Sequence, residues 1–345
     1  MLRTLFLFAT LFSVYASESS LRGITTAMTS LLDEHDEWKQ FFNFQERFAR
    51  KYETLHELEK RFQVFRTNLR NIVIHNLDHK QNFTMGINQF TDLTPQEFKA
   101  QYVSGLKAEV GSYGCKTFSS SASGAPSAID WRNNGAVTSV KDQGQCGSCW
   151  TFSATGAVEG AWAISKGQLI DLSEEQLVEC ATGMSYGSHS CSGGQMQGAF
   201  KYVIEHGQCS DSSYPYTSGT GQSGSCKTCS AVAHMSSCSD VKPNDQLSLK
   251  AALAQQPVAV AISADTKLFQ SYSSGVITSS SCYTSLDHGV LAVGYGEENG
   301  IKYFLVKNSW STNWGMSGYV KIARSDSTND AGICGIGMDA SFPTV

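Results

Sequence analysis

The chain has 345 residues, enough for a sizeable core and one or two domains. With 41% apolar and 17% charged residues it reads as a globular protein, and a net charge of −5 without a long basic run argues against nucleic acid as a partner. No apolar stretch beyond the N-terminal one is long enough for a membrane span, so no stable membrane anchor is expected.

The N-terminus reads MLRTLFLFATLFSVYASESS. Arg3 precedes an apolar run from Leu5 to Tyr15, and Ala16 follows as a small residue with Val14 two before it. This is the pattern of a secretory signal peptide over residues 1–16, the alternative being an uncleaved anchor. The C-terminal SFPTV is no ER-retention signal. The chain is therefore expected in the secretory pathway, bound for a lysosome or acidic vacuole or for the exterior. Its 11 cysteines imply disulfides there, and an odd count leaves at least one thiol outside intrachain pairs.

Residues 31–76 read as helix. Trp38, Phe41, Phe42, Phe48 and Tyr52 recur at roughly three or four, and Glu57, Arg61, Phe65, Asn68, Ile72 and Asn76 share one stripe. Polar residues on a stripe with Phe65 and Ile72 point to packing or ion pairing rather than a solvated face. GINQFTD follows at 86–92, then SYGCKTFSSSASGAPS at 112–127, rich in Ser and Gly. The latter reads as an exposed, nickable linker with a boundary near Ser119 to Ala125. Beyond it, CWTFSATGAVEGAWAIS is a buried helix, and Ser173 with Gln176 marks a capping box. After residue 255, PVAVAIS, HGVLAVGYG, IKYFLVKNS and GYVKIA are short strands. Helices followed by strands predict an α+β fold with two lobes.

The chemistry centres on QGQCGSCWTFS at 143–153, where Cys146 and Cys149 form a C-x-x-C pair. Cys226 and Cys229 form another, so zinc is conceivable, but an oxidised chain favours disulfides over thiolate zinc. Thiol–disulfide exchange would need the motif in a βαβ unit, which does not surround it. A nucleophilic thiol needs a lowered pKa, a base, a group to orient that base and donors for an oxyanion. Cys149 opens a helix, whose N-terminus favours a thiolate. His288 opens a strand, Asn308 closes another, and Trp310 stands two beyond it. Alone, each is bland.

Together, CGSCW with a downstream His288 and Asn308 resembles the papain-like cysteine proteases. DWRNNGAVTSVKDQGQCGSCWTFS, CSGG, YPY, DHGVLAVGYG and KNSW fall in that family's order, and the likeness runs from about Trp38 to Val345. Glu57, Arg61, Phe65, Asn68, Ile72 and Asn76 match the long helix of cathepsin L-like propeptides, and Gly86, Asn88, Phe90 and Asp92 match its G-x-N-x-F-x-D element. The resemblance implies an inhibitory propeptide over 17–122, with a small helical prodomain at about 35–100 plus linker, its tail crossing the cleft in reverse of substrate. A papain-like peptidase domain over 123–345 follows, with a helical left lobe, a β-barrel-like right lobe and the active-site cleft between.

The same resemblance implies a monomeric cysteine endopeptidase acting on proteins and peptides, made as a zymogen, with no cofactor and no metal. Cys149 is then the nucleophile and His288 its base, resting as a thiolate–imidazolium pair. Asn308 orients the ring, Trp310 shields that bond beside the substrate site, and Gln143 joins the Cys149 N–H in binding the oxyanion. Gly193 and Gly194 would let a substrate backbone pair. Met196, Ala261, Leu286, Gly289 and Asp339 would line the pocket for the second residue before the cut, called P2. Hydrophobic side chains are expected there, and Arg also, because of Asp339. Implied bridges are Cys146–Cys191, Cys180–Cys226 and Cys282–Cys334. Cys115 would leave on maturation, and Cys209, Cys229 and Cys238 would give one extra bridge and one free thiol. Asn82 heads the sequon Asn82-Phe83-Thr84 for glycosylation. Activation at acidic pH would protonate carboxylates that tether the prosegment.

Overall fold

The computed structural model describes residues 34–103, 105–106, 113–278 and 282–345; the signal-peptide reading lies outside them. Two compact units emerge. One contains residues 34–79 with Ile87–Leu93, the other Lys80–Gly86 with Thr94–Val345.

In the smaller unit the single long helix expected over 31–76 is two. α1 spans Glu34–Arg47 and α2 spans Leu55–Leu77. The break falls where Ala49 takes a positive φ of 51° and Thr54 caps α2 by accepting from the Glu57 N–H. Phe48 and Tyr52 therefore lie past the end of α1, yet they still pack on its core of Phe41, Phe44, Phe62, Phe65 and Leu69. Arg70 on α2 reaches Glu37 on α1 through two bonds of 2.6 and 3.1 Å, neutralising a carboxylate with no exposed surface.

The polar members of the α2 stripe hold the turn at 88–93. Asn68 Nδ2 donates to the Thr91 and Leu93 carbonyls, both at 2.9 Å. Arg61 pairs with Glu57 at 2.6 Å and donates to the Asp92 carbonyl at 3.1 Å. Asn88 Oδ1 accepts from the Phe90 N–H at 2.9 Å, closing the turn on itself. Phe65 and Ile72 are buried, and Asn76 is exposed.

The larger unit is mixed α+β. Its helices are α3 (Pro95–Phe98), α4 (Cys149–Lys166), α5 (Glu174–Cys180), α6 (Met196–His206), α7 (Gln246–Leu253) and α8 (Lys267–Ser271). The strands are β1 (Phe83–Met85), β2 (Lys116–Phe118), β3 (Ile129–Asp130), β4 (Ser237–Val241), β5 (Val258–Ile262), β6 (Tyr272–Ile277), β7 (His288–Glu298), β8 (Ile301–Lys307), β9 (Tyr319–Ala323) and β10 (Ala340–Thr344). They run in the order β1-β6-β9-β8-β7-β5-β10-β4-β2, with β3 against β7.

α4 is apolar nearly all round and buries Trp150, Ala154, Ala157, Val158 and Ala161, so it runs through the core as an all-apolar helix should. It stops at Gly167, whose φ of +72° suits the C-terminal turn. α5 starts as expected, with Ser173 Oγ accepting from the Gln176 N–H at 3.0 Å. The Gln176 side chain does not complete the box; its Oε1 accepts instead from the Cys209 N–H at 2.7 Å.

The linker departs most from expectation. Residues 116–118 are not a loose tether but strand β2, parallel to β4. The cysteine ledger differs as well. Besides Cys146–Cys191, Cys180–Cys226 and Cys282–Cys334, the chain closes Cys209–Cys229 and Cys115–Cys238. Cys115 is thus bonded into the larger unit, and no second free thiol is left. Pairing β2 with β4 brings Cys115 and Cys238 to a Cα separation of 4.6 Å, suited to a bridge. Cys149 remains free.

Candidate active site

Cys149 is the first residue of α4, at the positive end of an 18-residue helix. Its neighbour Cys146 is bonded to Cys191, so the two sulfurs of the C-x-x-C do not work as a couple. Cys226 and Cys229 likewise go to separate partners, so neither motif offers two thiolates to a metal. His288 opens β7, and the N–H of the next residue, Gly289, donates to Cys149 Sγ at 3.3 Å. The thiol and the imidazole are both fully buried.

Asn308, just past β8, presents Oδ1 to His288 Nε2 at 2.8 Å. The same oxygen accepts from the Ser309 N–H at 2.8 Å, which fixes it as an acceptor. His288 Nε2 must then carry the proton, leaving Nδ1 as the ring's acceptor. Nδ1 is buried with no hydrogen-bond partner. Trp310 stacks on the imidazole, with centroids 4.6 Å apart and planes at 24°.

Gln143 lies on the loop before the nucleophile. Its Oε1 accepts from Ser309 Oγ at 2.7 Å and its Nε2 donates to the Cys146 carbonyl at 3.0 Å. An amide nitrogen has two hydrogens, so one donor remains for a ligand.

Burial sets the charge state. It pushes the Cys149 thiol up to about 12, opposed by the Gly289 N–H and reinforced by the charge of Asp287. It pushes the imidazole down to about 4, opposed by the bond to Asn308. In this covered state burial works against the charged form of each group, and so against the ion pair that the resemblance implies. Taking water off a thiolate and an imidazolium costs more than their bonds here return.

The cover is the chain's own residues 94–103 with Gly105 and Leu106. Thr94 and Glu97 form a reciprocal capping box that starts α3. Phe98 then meets Trp310 edge to face at 5.3 Å. Lys99 Nζ pairs with Asp265 at 2.6 Å. Asp287, beside His288, is pushed up to about 7 by burial and by Asp265, while the Ala264 N–H donates to it at 2.8 Å. Gly105 lies against Cys149, where an added Cβ would fall 2.7 Å from Cys149 Sγ and from the Gly147 backbone. Its carbonyl accepts from the Gly194 N–H at 3.1 Å, and Leu106 bridges Gly194 in parallel. Gly194 itself could carry no side chain, since a Cβ would strike Ser188 and the Trp150 ring, and Gly193 sits at φ +106°.

The five residues expected in the pocket lie as follows. Ala261 pairs with Gly289 across β5 and β7, and its N–H donates to the Asp339 carbonyl at 2.9 Å. Gly289 abuts Met196, and Leu286 packs on the same core. The Asp339 carboxylate accepts from Gln197 Nε2 at 2.7 Å. Burial and the neighbouring Asp339 push up Asp240 on β4, and burial pushes up Asp339 itself. Sequence reasoning missed Gln197, Asp240, Phe98, Lys99 and Gly105. Thr94 and Glu97 spell a capping box that could have revealed α3; nothing local singles out the others. Asn82 is exposed before β1, with Nδ2 donating to Thr278 Oγ1 at 3.1 Å.

Comparison with known proteins agrees with this arrangement. Residues 125–344 match the family described as papain family cysteine protease, and residues 41–98 the cathepsin propeptide inhibitor domain (I29). Among curated proteins, the "Probable cysteine protease RD21C" of Arabidopsis thaliana is 43% identical over 97% of this chain and 74% of its own length. The "Senescence-specific cysteine protease SAG12" of the same plant is 39% identical over 99% of this chain and 98% of its own. Among solved structures, a recombinant stem bromelain precursor aligns with a TM-score of 0.82 at 40% identity, covering 90% of this chain and 99% of that one. Digestive procathepsin L 3 of Tenebrio molitor larval midgut aligns with a TM-score of 0.80 at 38% identity, with the same two coverages.

Proposed function

Because the chain belongs to the papain family of cysteine proteases and carries a cathepsin-type propeptide, we propose that Cys149, His288, Asn308 and Gln143 are its catalytic residues and that the cover, residues 94–103 with Gly105 and Leu106, blocks them until it is cut. The observation that carries the reading is the His288 ring. Its Nε2–H is fixed on Asn308, its Nδ1 is left without a partner, and the N–H of the next residue, Gly289, donates to the one unbridged thiol among the described cysteines.

Once the cover leaves and water enters, Nδ1 takes the thiol proton and Cys149 attacks the scissile carbonyl. The oxyanion is met by the Cys149 N–H and by the spare hydrogen of Gln143 Nε2; such a donor is worth about 2.7–4 kcal/mol. The imidazolium then protonates the leaving amine. Water, activated by the returned base, splits the thioester. The parallel pairing of Leu106 with Gly194 supports a prosegment that runs opposite to a substrate and so presents no bond in register for cleavage.

The P2 pocket is read as apolar walls, Met196, Ala261, Leu286 and Gly289, over the Asp339 carboxylate. It takes hydrophobic side chains, and Arg through a charge-assisted pair. The protein enters the secretory pathway, for an acidic vacuole or the exterior, and acts as a monomer on proteins and peptides. None of the described helices is long and apolar enough to cross a membrane.

A labelled epoxysuccinyl inhibitor should attach to Cys149 in the processed protein and not in Cys149→Ala. A processed protein that stays unlabelled would overturn the assignment. For the pocket, Asp339→Ala should depress cleavage of an Arg-Arg dipeptide reporter relative to Phe-Arg. An unchanged ratio would remove Asp339 from P2 recognition.

A further inference from the structure

We propose that the strand around Cys115 stays on the mature peptidase, held by the Cys115–Cys238 disulfide. The active enzyme then carries either an N-terminal extension through Cys115 or a second, disulfide-linked chain. The inference rests on the reading of the chain as a zymogen opened by cleavage of its linker.

Among the described residues, the partners of this strand lie in the peptidase region. Cys115 bonds to Cys238, which is buried on β4. Lys116, Thr117 and Phe118 pair in parallel with Ser239, Asp240 and Val241. The Lys242 N–H donates to the Phe118 carbonyl at 2.8 Å. The Phe118 ring meets Phe342 edge to face at 5.2 Å. Ser248 Oγ accepts from the Ser120 N–H at 2.9 Å and donates to the Ser120 carbonyl at 3.2 Å. Upstream, the Tyr113 hydroxyl fills the space beside Gly187, where no side chain would fit.

β2 is also the last strand of the sheet, so discarding it would leave β4 as a bare edge. Among the described residues, the pairing with Gly194 is made by Gly105 and Leu106, upstream of Cys115. Hydrolysis of a linker peptide bond adds water across C–N, hydroxyl to the carbonyl carbon and proton to the amine, and leaves S–S intact. A cut before Cys115 gives one extended chain; a cut between Cys115 and Ala125 gives two chains joined through sulfur.

The test is intact mass spectrometry of the enzyme processed from the full zymogen, secreted from an oxidising host and brought to acid pH, by itself or with added pepsin. We expect the unreduced mature mass to include Cys115 and Cys238 to resist iodoacetamide. Reduction then either leaves one chain containing Cys115 or releases a peptide that contains it, and both results support the proposal. A mature form that lacks Cys115 before reduction and takes an alkyl group on Cys238 would overturn it. Epoxysuccinyl labelling in the same sample reports separately on Cys149, so loss of the tether and loss of the protease reading give different spectra.

Discussion

At the scale of single residues, the site turns on one amide oxygen. Asn308 Oδ1 accepts from His288 Nε2 and from its own chain, so the ring has one orientation and one tautomer. Replacing Asn308 with Ala strands a buried Nε2–H, at a cost of about 1–3 kcal/mol. Turnover should fall roughly 5- to 150-fold with KM little changed, as steady-state kinetics on a dipeptide reporter will show. The thiol gives a pH test. In the zymogen its pKa is pushed up to about 12, so it stays protonated through neutral pH. Iodoacetamide should therefore label Cys149 of the zymogen only toward strongly alkaline pH. The processed enzyme should react from weakly acid pH, since family thiols paired with imidazolium titrate near ~3–4. Asp339 gives another. Its carboxyl is pushed up by burial, so acid neutralises it early and Arg recognition should weaken there. The Arg-Arg to Phe-Arg cleavage ratio should rise between pH 4 and 7, and flatten in Asp339→Ala.

At the scale of elements, the inhibitory segment depends on a missing side chain. Gly105 fits against Cys149 and Gly147 because it has no Cβ. Gly105→Val would force atoms into occupied space, an overpacking cost of about 1–3 kcal/mol. Processing of the zymogen, followed on gels at fixed acid pH, should accelerate roughly 5- to 150-fold; an unchanged rate would mean that this contact does not hold the segment. The other elements were legible in the sequence to different degrees. α4 and the strands β5, β7, β8 and β9 announce themselves by apolar runs and periodicity, whereas β6 did not. The break between α1 and α2 did not, because Phe48 and Tyr52 keep the aromatic rhythm after the helix has ended and pack on the same core. β2 was hidden for a related reason. Ser- and Gly-rich composition reads as linker, and the strand exists only because β4 supplies its hydrogen bonds and Cys238 its disulfide.

At the scale of the whole molecule, acid activation gains a sharper form. Asp92 in the smaller unit bonds to the Tyr52 hydroxyl at 2.9 Å and lies 3.7 Å from Arg50. Burial nonetheless dominates and pushes its carboxyl up. The folded unit therefore binds the Asp92 proton more tightly than the unfolded chain does. Between the usual carboxylate value, near ~3.9, and the raised one, this residue adds stability as pH falls and withdraws it as pH rises. On this linkage, protonating Asp92 stabilises its unit rather than loosening it, so an acid trigger is expected from other carboxylates. In the Cys149→Ala zymogen, Asp92→Asn should be most stabilising at neutral pH, and its advantage in melting temperature should shrink toward pH 4. An advantage that grows toward acid would reverse the assignment.

The sequence by itself determined the reaction. The residues proposed as nucleophile, base and orienting amide, and the propeptide stripe, are spelled by residue types in a fixed order, because such chemistry admits few substitutes. Only the tertiary structure decided how Cys115, Cys209, Cys229 and Cys238 pair, where the linker goes and how far the site is buried while covered. Those depend on distances between residues remote in the chain, such as Cys115 and Cys238, and on how much water a neighbouring backbone excludes, as Gly105 does at Cys149.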